Sequence, residues 1–202
     1  MLNRLSALLT LLLLLSSAQV DAASRRSRKA SERNPEIVMQ ALSLAKTDRP
    51  EAIMLLEDYL KRGTNPMLLE IVRVHAGEQR RLAGDMPRAR AHFSKSVRGH
   101  GRDPNRSSAT LGIALIDIEL SASGNAMATL QLVPERGVPD TMNADRFRNL
   151  ALDAEPGRGY ESDDITAFCK KALAYAVGDP VVLQRVRFDL TPLLPPEAIP
   201  PG

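Results

Sequence analysis

Three histidines and one cysteine are among the side chains that could bind a metal or act as a nucleophile. Two histidines that share a metal on one helix usually lie one turn apart, whereas His75 and His92 are 17 positions apart. We therefore expect these two and His100 to be solvated, with no metal site and no cofactor. A single cysteine excludes an internal disulfide and a thiolate metal cluster, and we expect Cys169 to pack in the core as a small hydrophobe.

Ser43 and Lys46 have the Ser-x-x-Lys spacing of the penicillin-recognising serine enzymes, and Ser123-Gly124-Asn125 is similar to the second motif of those enzymes. The resemblance implies a hydrolase with a reactive serine that uses Ser43 and Lys46. The third motif, Lys-Thr-Gly, does not occur in the chain, and the sequence lacks the pattern of the α/β scaffold that would bring these groups together. We therefore interpret the protein as non-enzymatic, with no catalytic residue, and keep the hydrolase as an alternative.

The composition favours helices packed in pairs. Apolar residues make up 44% of the 202 residues, but aromatic residues only 3%, and tryptophan is absent, so the core must consist mainly of Leu, Ile, Val, Ala and Met. A sandwich or barrel would need more β-branched and aromatic residues in its strands. The net charge of +3 is too small to indicate a nucleic-acid partner, and we expect none.

The first 22 residues are predicted to be a signal peptide. Arg4 precedes a short apolar run from Ala7 to Leu15, and Val20-Asp21-Ala22 offers small residues for cleavage. The run is short for a membrane span of about 20 residues, so we expect no stable span once the signal is cleaved. The chain is thus predicted to be exported, either periplasmic or secreted.

Residues 23–34 are predicted to form a basic disordered linker. Five positive charges follow the cleavage site closely, and positive charge there resists translocation. These residues are Arg25, Arg26, Arg28, Lys29 and Arg33. An uncleaved N-terminal membrane anchor that leaves the folded domain in the cytosol, as a membrane-anchored regulator, therefore remains the alternative localisation.

Asx-Pro pairs mark a repeated helix start. They occur at Asn34-Pro35, Asn65-Pro66, Asp103-Pro104 and Asp179-Pro180, and their prolines are 31, 38 and 76 residues apart. An Asx cap followed by proline at the first helical position is a favourable way to begin a helix. Since 76 is twice 38, the spacing indicates internal repeats of one supersecondary unit.

Hydrophobic periodicity then predicts four helix pairs and a last helix that covers the fourth pair. The predicted helices span residues 36–46 and 50–61, 67–83 and 87–97, 107–122 and 126–132, 144–153 and 162–175, and 181–190. Residues 191–202 are predicted to be a Pro-rich tail without regular structure, because its five prolines cannot extend a helix.

The second pair carries a recognisable pattern. Gly77 on its first helix, the turn Gly84-Asp85, and Ala89, Phe93 and Ser96 on its second helix resemble the tetratricopeptide repeat family. The resemblance implies that Gly77 lets a neighbouring helix approach and that the three later residues fill a groove. It also implies an all-α fold over residues 35–190, a right-handed TPR-like α-solenoid of about four antiparallel helix pairs with a C-terminal capping helix.

In that family the first helices line a concave groove that binds another protein. The resemblance places Val74, Glu78 and Arg81 on this face as partner-binding residues. Residues 67–106 carry a net charge of +5 and residues 107–165 a net charge of −6. Two solvated outer faces would explain that asymmetry, and so would a surface that steers an acidic partner or aligns neighbouring copies. We predict an adaptor or scaffold, and exported proteins of this class often assist a bacterial envelope machine such as a pilus or secretion system.

Overall fold

The fold is all-helical in the part of the chain that the structure describes. A computed structural model describes residues 36 and 38–194, apart from 100–104, 123–124 and 155–159. Within these ranges the chain forms α-helices and one short 3-10 helix, and no strand. No helix there is both long and apolar enough to cross a membrane. The predicted signal peptide and linker lie outside the described residues and stay predictions.

The described residues form nine α-helices. The first, α1, includes residues 38–44. The others are α2 (Arg49–Arg62), α3 (Pro66–Leu82), α4 (Met86–Arg98), α5 (Asn105–Glu119), α6 (Ala126–Leu132), α7 (Asp140–Asp153), α8 (Ser162–Ala176) and α9 (Pro180–Leu190). A 3-10 helix at Thr191–Leu193 follows α9, and Leu194 is buried after it. The prediction that regular structure ends at residue 190 is therefore wrong by three residues, because Pro192 is compatible with this short turn.

The Asx-Pro signals that fall on described residues do begin helices. The Asn65 side chain accepts hydrogen bonds from the backbone N–H groups of Met67 and Leu68 at the start of α3. Asp179 does the same for Val181 and Val182 at the start of α9. Each side chain thereby satisfies two of the N–H groups that a helix start leaves without an internal partner. Asn34-Pro35 and Asp103-Pro104 lie outside the described residues.

The ring of Phe93 on α4 joins three helices. Phe93 is fully buried between Gly77 of α3 and Gly112 of α5. A Cβ atom on Gly77 would lie 2.8 Å from the ring, and one on Gly112 only 2.5 Å from it. Ala89 and Ser96 are also fully buried, so the predicted packing positions of the second pair are confirmed. The other glycine in contact with this ring, Gly112, was not among the residues that the sequence pattern singled out.

Two apolar cores lie on either side of α3. The smaller core fills the space between α1, α2 and α3, with Leu56 and Val72 among its buried side chains. The larger core extends from α3 to α9 and includes Val74 and the predicted core residue Cys169. Burial raises the pKa of the Cys169 thiol, which keeps it protonated and unreactive. Helix α3 therefore contributes side chains to both cores and lies between them.

Each helix from α2 onward packs against the next one in the chain. In addition, α3 packs against α5, α5 against α7, and α7 against α9. The odd-numbered helices from α3 to α9 therefore form one continuous layer, and α4, α6 and α8 lie against that layer.

Gly112→Ala tests the close approach of α5 to Phe93. We expect it to destabilise the protein by about 1–3 kcal/mol, because the added methyl group overpacks a fully buried ring. This loss would exceed the gain of about 1 kcal/mol that alanine normally brings in a helix. Chemical denaturation measures the change in the free energy of unfolding.

The matched control combines Gly112→Ala with Phe93→Leu. The smaller side chain removes the clash, so in the Phe93→Leu background Gly112→Ala should be neutral or stabilising. Equal losses in both backgrounds would show that Phe93 does not limit the approach of α5.

Candidate functional site: a groove beside α3

The three predicted partner-binding residues lie on α3 but are not accessible. Val74 is 3% exposed, Glu78 is fully buried and Arg81 is 2% exposed. The expectation that these residues face an open groove is therefore wrong for Glu78 and Arg81, whereas the buried Val74 side chain forms part of the wall of a hollow described below. The reason is that side chains from α5 and α7 converge on the same face of α3 and cover it.

Arg81 is the centre of a buried charge network. Its Nε and Nη2 atoms donate to the two carboxylate oxygens of Glu78, each at 2.9 Å. Nη2 also donates to Asp145 on α7 at 2.6 Å, and Nη1 donates to Glu119 at the end of α5. Arg185 on α9 donates to both oxygens of Asp145 at 2.5 Å. The network thus connects α3, α5, α7 and α9.

The network keeps Arg81 charged. Burial by itself would lower the pKa of the guanidinium, but Glu78 and Asp145, together with Glu119, outweigh burial and raise the pKa well above its ordinary value. A buried charge is tolerated only when it is paired and hydrogen-bonded. Arg81 therefore acts as a structural tie between helices and not as a contact for an acidic partner.

The basic half of the sequence pairs with the acidic half inside the molecule. Arg81 binds Glu119 and Asp145, and Arg90 on α4 binds Asp117 on α5. Arg80 pairs instead with Glu57 on α2 at 2.8 Å. Part of the charge asymmetry that the sequence shows is thus accounted for by ion pairs between helices.

A second polar contact joins the beginning of the array to its end. Arg49, the first residue of α2, donates from Nη2 to Asp179 at 2.8 Å and from Nε to Gln79 at 3.0 Å. Asp179 also caps α9, so its carboxylate is held from both sides. Arg49 and Asp179 are 130 positions apart. This contact brings the turn between α8 and α9 over the first helix pair.

Two adjoining hollows lie beside α3, and Gln79 and Asp179 of this contact line one of them; we call the two hollows together the α3 groove. They have volumes of about 360 and 370 Å³ and share His75, Val138 and Pro139 as walls. The remaining walls are Leu42, Ala45, Lys46, Ile71, Val74, Gln79, Asn105, Gly137, Asp140, Thr141, Tyr175, Gly178 and Asp179. Volumes of this size lie at the lower end of the range for ligand pockets.

The groove is mainly apolar, and several of its polar groups are already bonded. Thr141 donates to Glu78 at 2.7 Å, and the Tyr175 hydroxyl donates to Glu135 at 3.0 Å. Burial and the adjacent Glu135 raise the pKa of Tyr175, so its hydroxyl stays neutral. Burial lowers the pKa of His75, although the nearby Glu78 opposes that shift. His75 is therefore neutral at pH 7, and Lys46 and Asp140 bring opposite charges to the rim.

The other residues with possible chemistry are not brought together. Ser43 is exposed, and only Lys46 of that pair lines the groove. His92 is half-buried, with its Nε2 atom 3.5 Å from Glu57, and His100 lies outside the described residues. Within the described ranges, no group of three or more His, Cys, Asp or Glu side chains could hold a metal ion. The groove is thus the best candidate for a binding site.

Comparison with protein-family models, curated proteins and solved structures found no match for this chain.

Sequence reasoning missed Arg49 and Asp145, which fix the shape of the site. Asp179 was predicted only as a helix cap. The available signal was the excess of acidic residues in 107–165 opposite the basic segment 67–106, which we interpreted as two outer surfaces. The structure shows instead that some of these charges form ion pairs between the two segments.

The neutral state of His75 predicts a pH dependence of stability. A histidine whose pKa is lowered on folding binds a proton more readily in the unfolded chain. The stability that depends on neutral His75 is fully present above the ordinary histidine pKa of 6.5. It is lost as the pH falls below that value. We expect the free energy of unfolding to decrease between pH 7.5 and 5.5, and to decrease less in His75→Gln.

Urea denaturation at both pH values measures this difference. His92→Gln should also reduce the decrease, because burial lowers the pKa of His92 as well, although Glu57 opposes the shift. The double variant should show the smallest decrease. An NMR titration that places the pKa of His75 at or above 6.5 would contradict the assignment.

Proposed function

We propose that this chain is a protein-interaction module of the TPR-like repeat class, which binds an extended, largely apolar segment of another protein in the α3 groove. The observation that carries the proposal is that four odd-numbered helices, α1, α3, α5 and α7, contribute residues to the groove wall. Leu42 of α1, His75 of α3 and Thr141 of α7 all line it. First helices of TPR-like pairs line the binding surface of that family, and the odd-numbered helices are the first helices here.

The packing order supports a solenoid of helix pairs. In a stack of pairs, each first helix touches its own partner and the next first helix, which is the pattern of contacts from α3 to α9. The Gly77–Phe93 contact and the turn at Gly84, whose φ is +79°, agree with the residues that carry the family resemblance. The right-handed sense of the stack and the capping role of α9 belong to the same proposal.

The walls of the groove favour an apolar segment over an acidic one. The groove wall carries no net positive charge. It consists largely of the neutral His75, residues 137–139 and the apolar side chains of α1 and α3. An acidic partner would have to bind elsewhere, since Arg81 is buried. As for cellular setting, we propose an exported scaffold or adaptor that serves an envelope assembly, on the basis of the N-terminal sequence.

Site-specific photocrosslinking in cells tests this function. A photoreactive residue in place of Lys46, at the groove rim, should give a covalent adduct with another protein. The same residue in place of Lys61 should not, because that exposed position on α2 is not among the residues that line the groove. Mass spectrometry of the adduct then identifies the partner.

Gly178→Phe tests whether the crosslinked partner occupies the groove. Gly178 lines the hollow, and a Cβ atom there would meet only the Lys46 amine, 3.8 Å away, so a side chain can begin at this position without a clash. We expect this variant to lose the Lys46 adduct by tenfold or more while its melting temperature stays unchanged. Leu132→Phe, on an exposed position of α6, is the control and should keep the adduct. An adduct that survives Gly178→Phe would exclude the groove as the binding site.

A further inference from the structure

The helix pair α1–α2 is attached to the rest of the protein mainly through α3. The smaller core consists of residues of α1, α2 and α3, and the larger core contains no residue of α1 or α2. Among the helices from α2 to α9, α3 is the one against which α2 packs closely. An ion pair between Glu57 of α2 and Arg80 strengthens the same contact. The pair α1–α2 therefore has one broad attachment, and α3 is the axis about which the pair would turn.

One polar contact joins this pair to the far end of the array. Arg49 donates to Asp179 at 2.8 Å, and the two side chains are 15% and 6% exposed. In the described part of the chain, it is the one hydrogen bond or ion pair between α1–α2 and residues 160–194. Neither apolar core bridges these two regions. The position of α1–α2 relative to the end of the array thus depends largely on a single ion pair.

The two partners of this ion pair belong to opposite sides of one hollow of the α3 groove. Arg49 follows the side that comes from α1 and the turn after it, and Asp179 is part of the side that comes from the end of α8. The two sides are Leu42, Ala45 and Lys46, and Tyr175, Gly178 and Asp179. The walls of the second hollow come instead from α3, α5 and residues 137–139. Separation of α1–α2 from Asp179 would therefore widen the first hollow and leave the second unchanged.

Both partners keep other hydrogen bonds when the ion pair breaks. The Nε atom of Arg49 donates to Gln79 at 3.0 Å, and the carboxylate of Asp179 accepts from the backbone N–H groups of Val181 and Val182. Neither charged group is left without a partner, so this pair costs less to open than a fully buried one. The remaining bonds also keep both groups oriented, which allows the ion pair to form again.

We propose that the Arg49–Asp179 ion pair is a latch. When it breaks, the pair α1–α2 turns on α3 as a flap, and the hollow between Ala45 and Gly178 opens. The structure shows the closed state. Because one partly hydrated ion pair holds that state, the open state is a minor population that salt increases. The flap follows from these contacts alone, whereas its use to admit a partner segment rests on the function proposed for the groove.

Double electron–electron resonance between two spin labels measures the position of the flap. Met54→Cys on α2 and Ala174→Cys on α8 place the labels at exposed positions, and Cys169→Ala removes the native thiol. Asp179→Asn should raise the population of longer distances by about fivefold or more. The reason is that the amide oxygen still caps α9, while the charge that holds Arg49 is lost. Salt of about 1 M should have the same effect on the unchanged protein and little on Asp179→Asn.

Asp48→Asn is the matched control. Asp48 caps α2 through its side chain as Asp179 caps α9, so both variants change a capping carboxylate to an amide and remove one charge. This control should keep the distances of the unchanged protein. Arg49→Met should act like Asp179→Asn, and the two together should do no more than either alone. Circular dichroism should show every variant folded.

Thiol reactivity tests which hollow opens. Ala45→Cys places a thiol on the flap side of the first hollow, and Val74→Cys places one in the wall of the second. Both positions are buried. In the Cys169→Ala background, adding Asp179→Asn should raise the rate of N-ethylmaleimide addition to Ala45→Cys by about fivefold or more. The rate for Val74→Cys should stay unchanged.

Two results would overturn the latch. One is a distance distribution that Asp179→Asn does not alter. The other is an equal rise in the reactivity of Ala45→Cys and Val74→Cys, which indicates general loosening and not a flap. Neither measurement uses a partner protein. A failed photocrosslink at Lys46 would therefore reject the function proposed for the groove without touching the latch.

Discussion

The buried guanidinium of Arg81 is the interaction on which the arrangement of the odd-numbered helices depends. It meets Glu78 on its own helix, Glu119 on α5 and Asp145 on α7, and Asp145 in turn holds Arg185 of α9. Taking these charges out of water is costly, and the cost is offset only when every partner is in place. The network therefore favours one relative position of the four helices over alternatives that the apolar core alone would tolerate.

The groove is a consequence of this arrangement. Thr141, whose hydroxyl donates to Glu78, connects the charge network to the groove wall, while Arg49 and Asp179 hold the two ends of the array together above it. Arg80, Arg81 and Arg90 pair with acids of neighbouring helices and do not line the groove, so they bring no charge to it. A site of this kind suits an apolar segment of a partner protein better than a charged one.

The elements could be predicted from sequence because their signals are local. Asn65 and Asp179 cap helices through their own side chains within three residues, and the spacing of Gly77, Ala89 and Phe93 predicts the contact between α3 and α4. The start of α7 was misplaced by four residues, at Ala144 instead of Asp140, since Pro139 there offers no side-chain cap.

The candidate site could not be predicted in the same way. The partners of Arg81 on α5 and α7 lie 38 and 64 residues further along the chain, and the partner of Arg49 lies 130 residues away. No local pattern distinguishes an arginine that faces an open groove from one that neighbouring helices cover. The side chains that α5 and α7 bring to this face of α3 decide that question, and their placement is a property of the whole fold.

The central claim is that Arg81 is a structural tie, and a double-mutant cycle with Asp145 tests it most directly. Arg81→Met and Asp145→Leu should each destabilise the protein by about 3–5 kcal/mol in denaturant, because each leaves a buried charge without its partner. The double variant should lose much less than the sum, with a coupling of about 2 kcal/mol or more. The half-exposed pair of Arg90 and Asp117 is the reference, and its coupling should stay within about 1 kcal/mol. Additive losses for Arg81 and Asp145, or a stable Arg81→Met, would contradict this account.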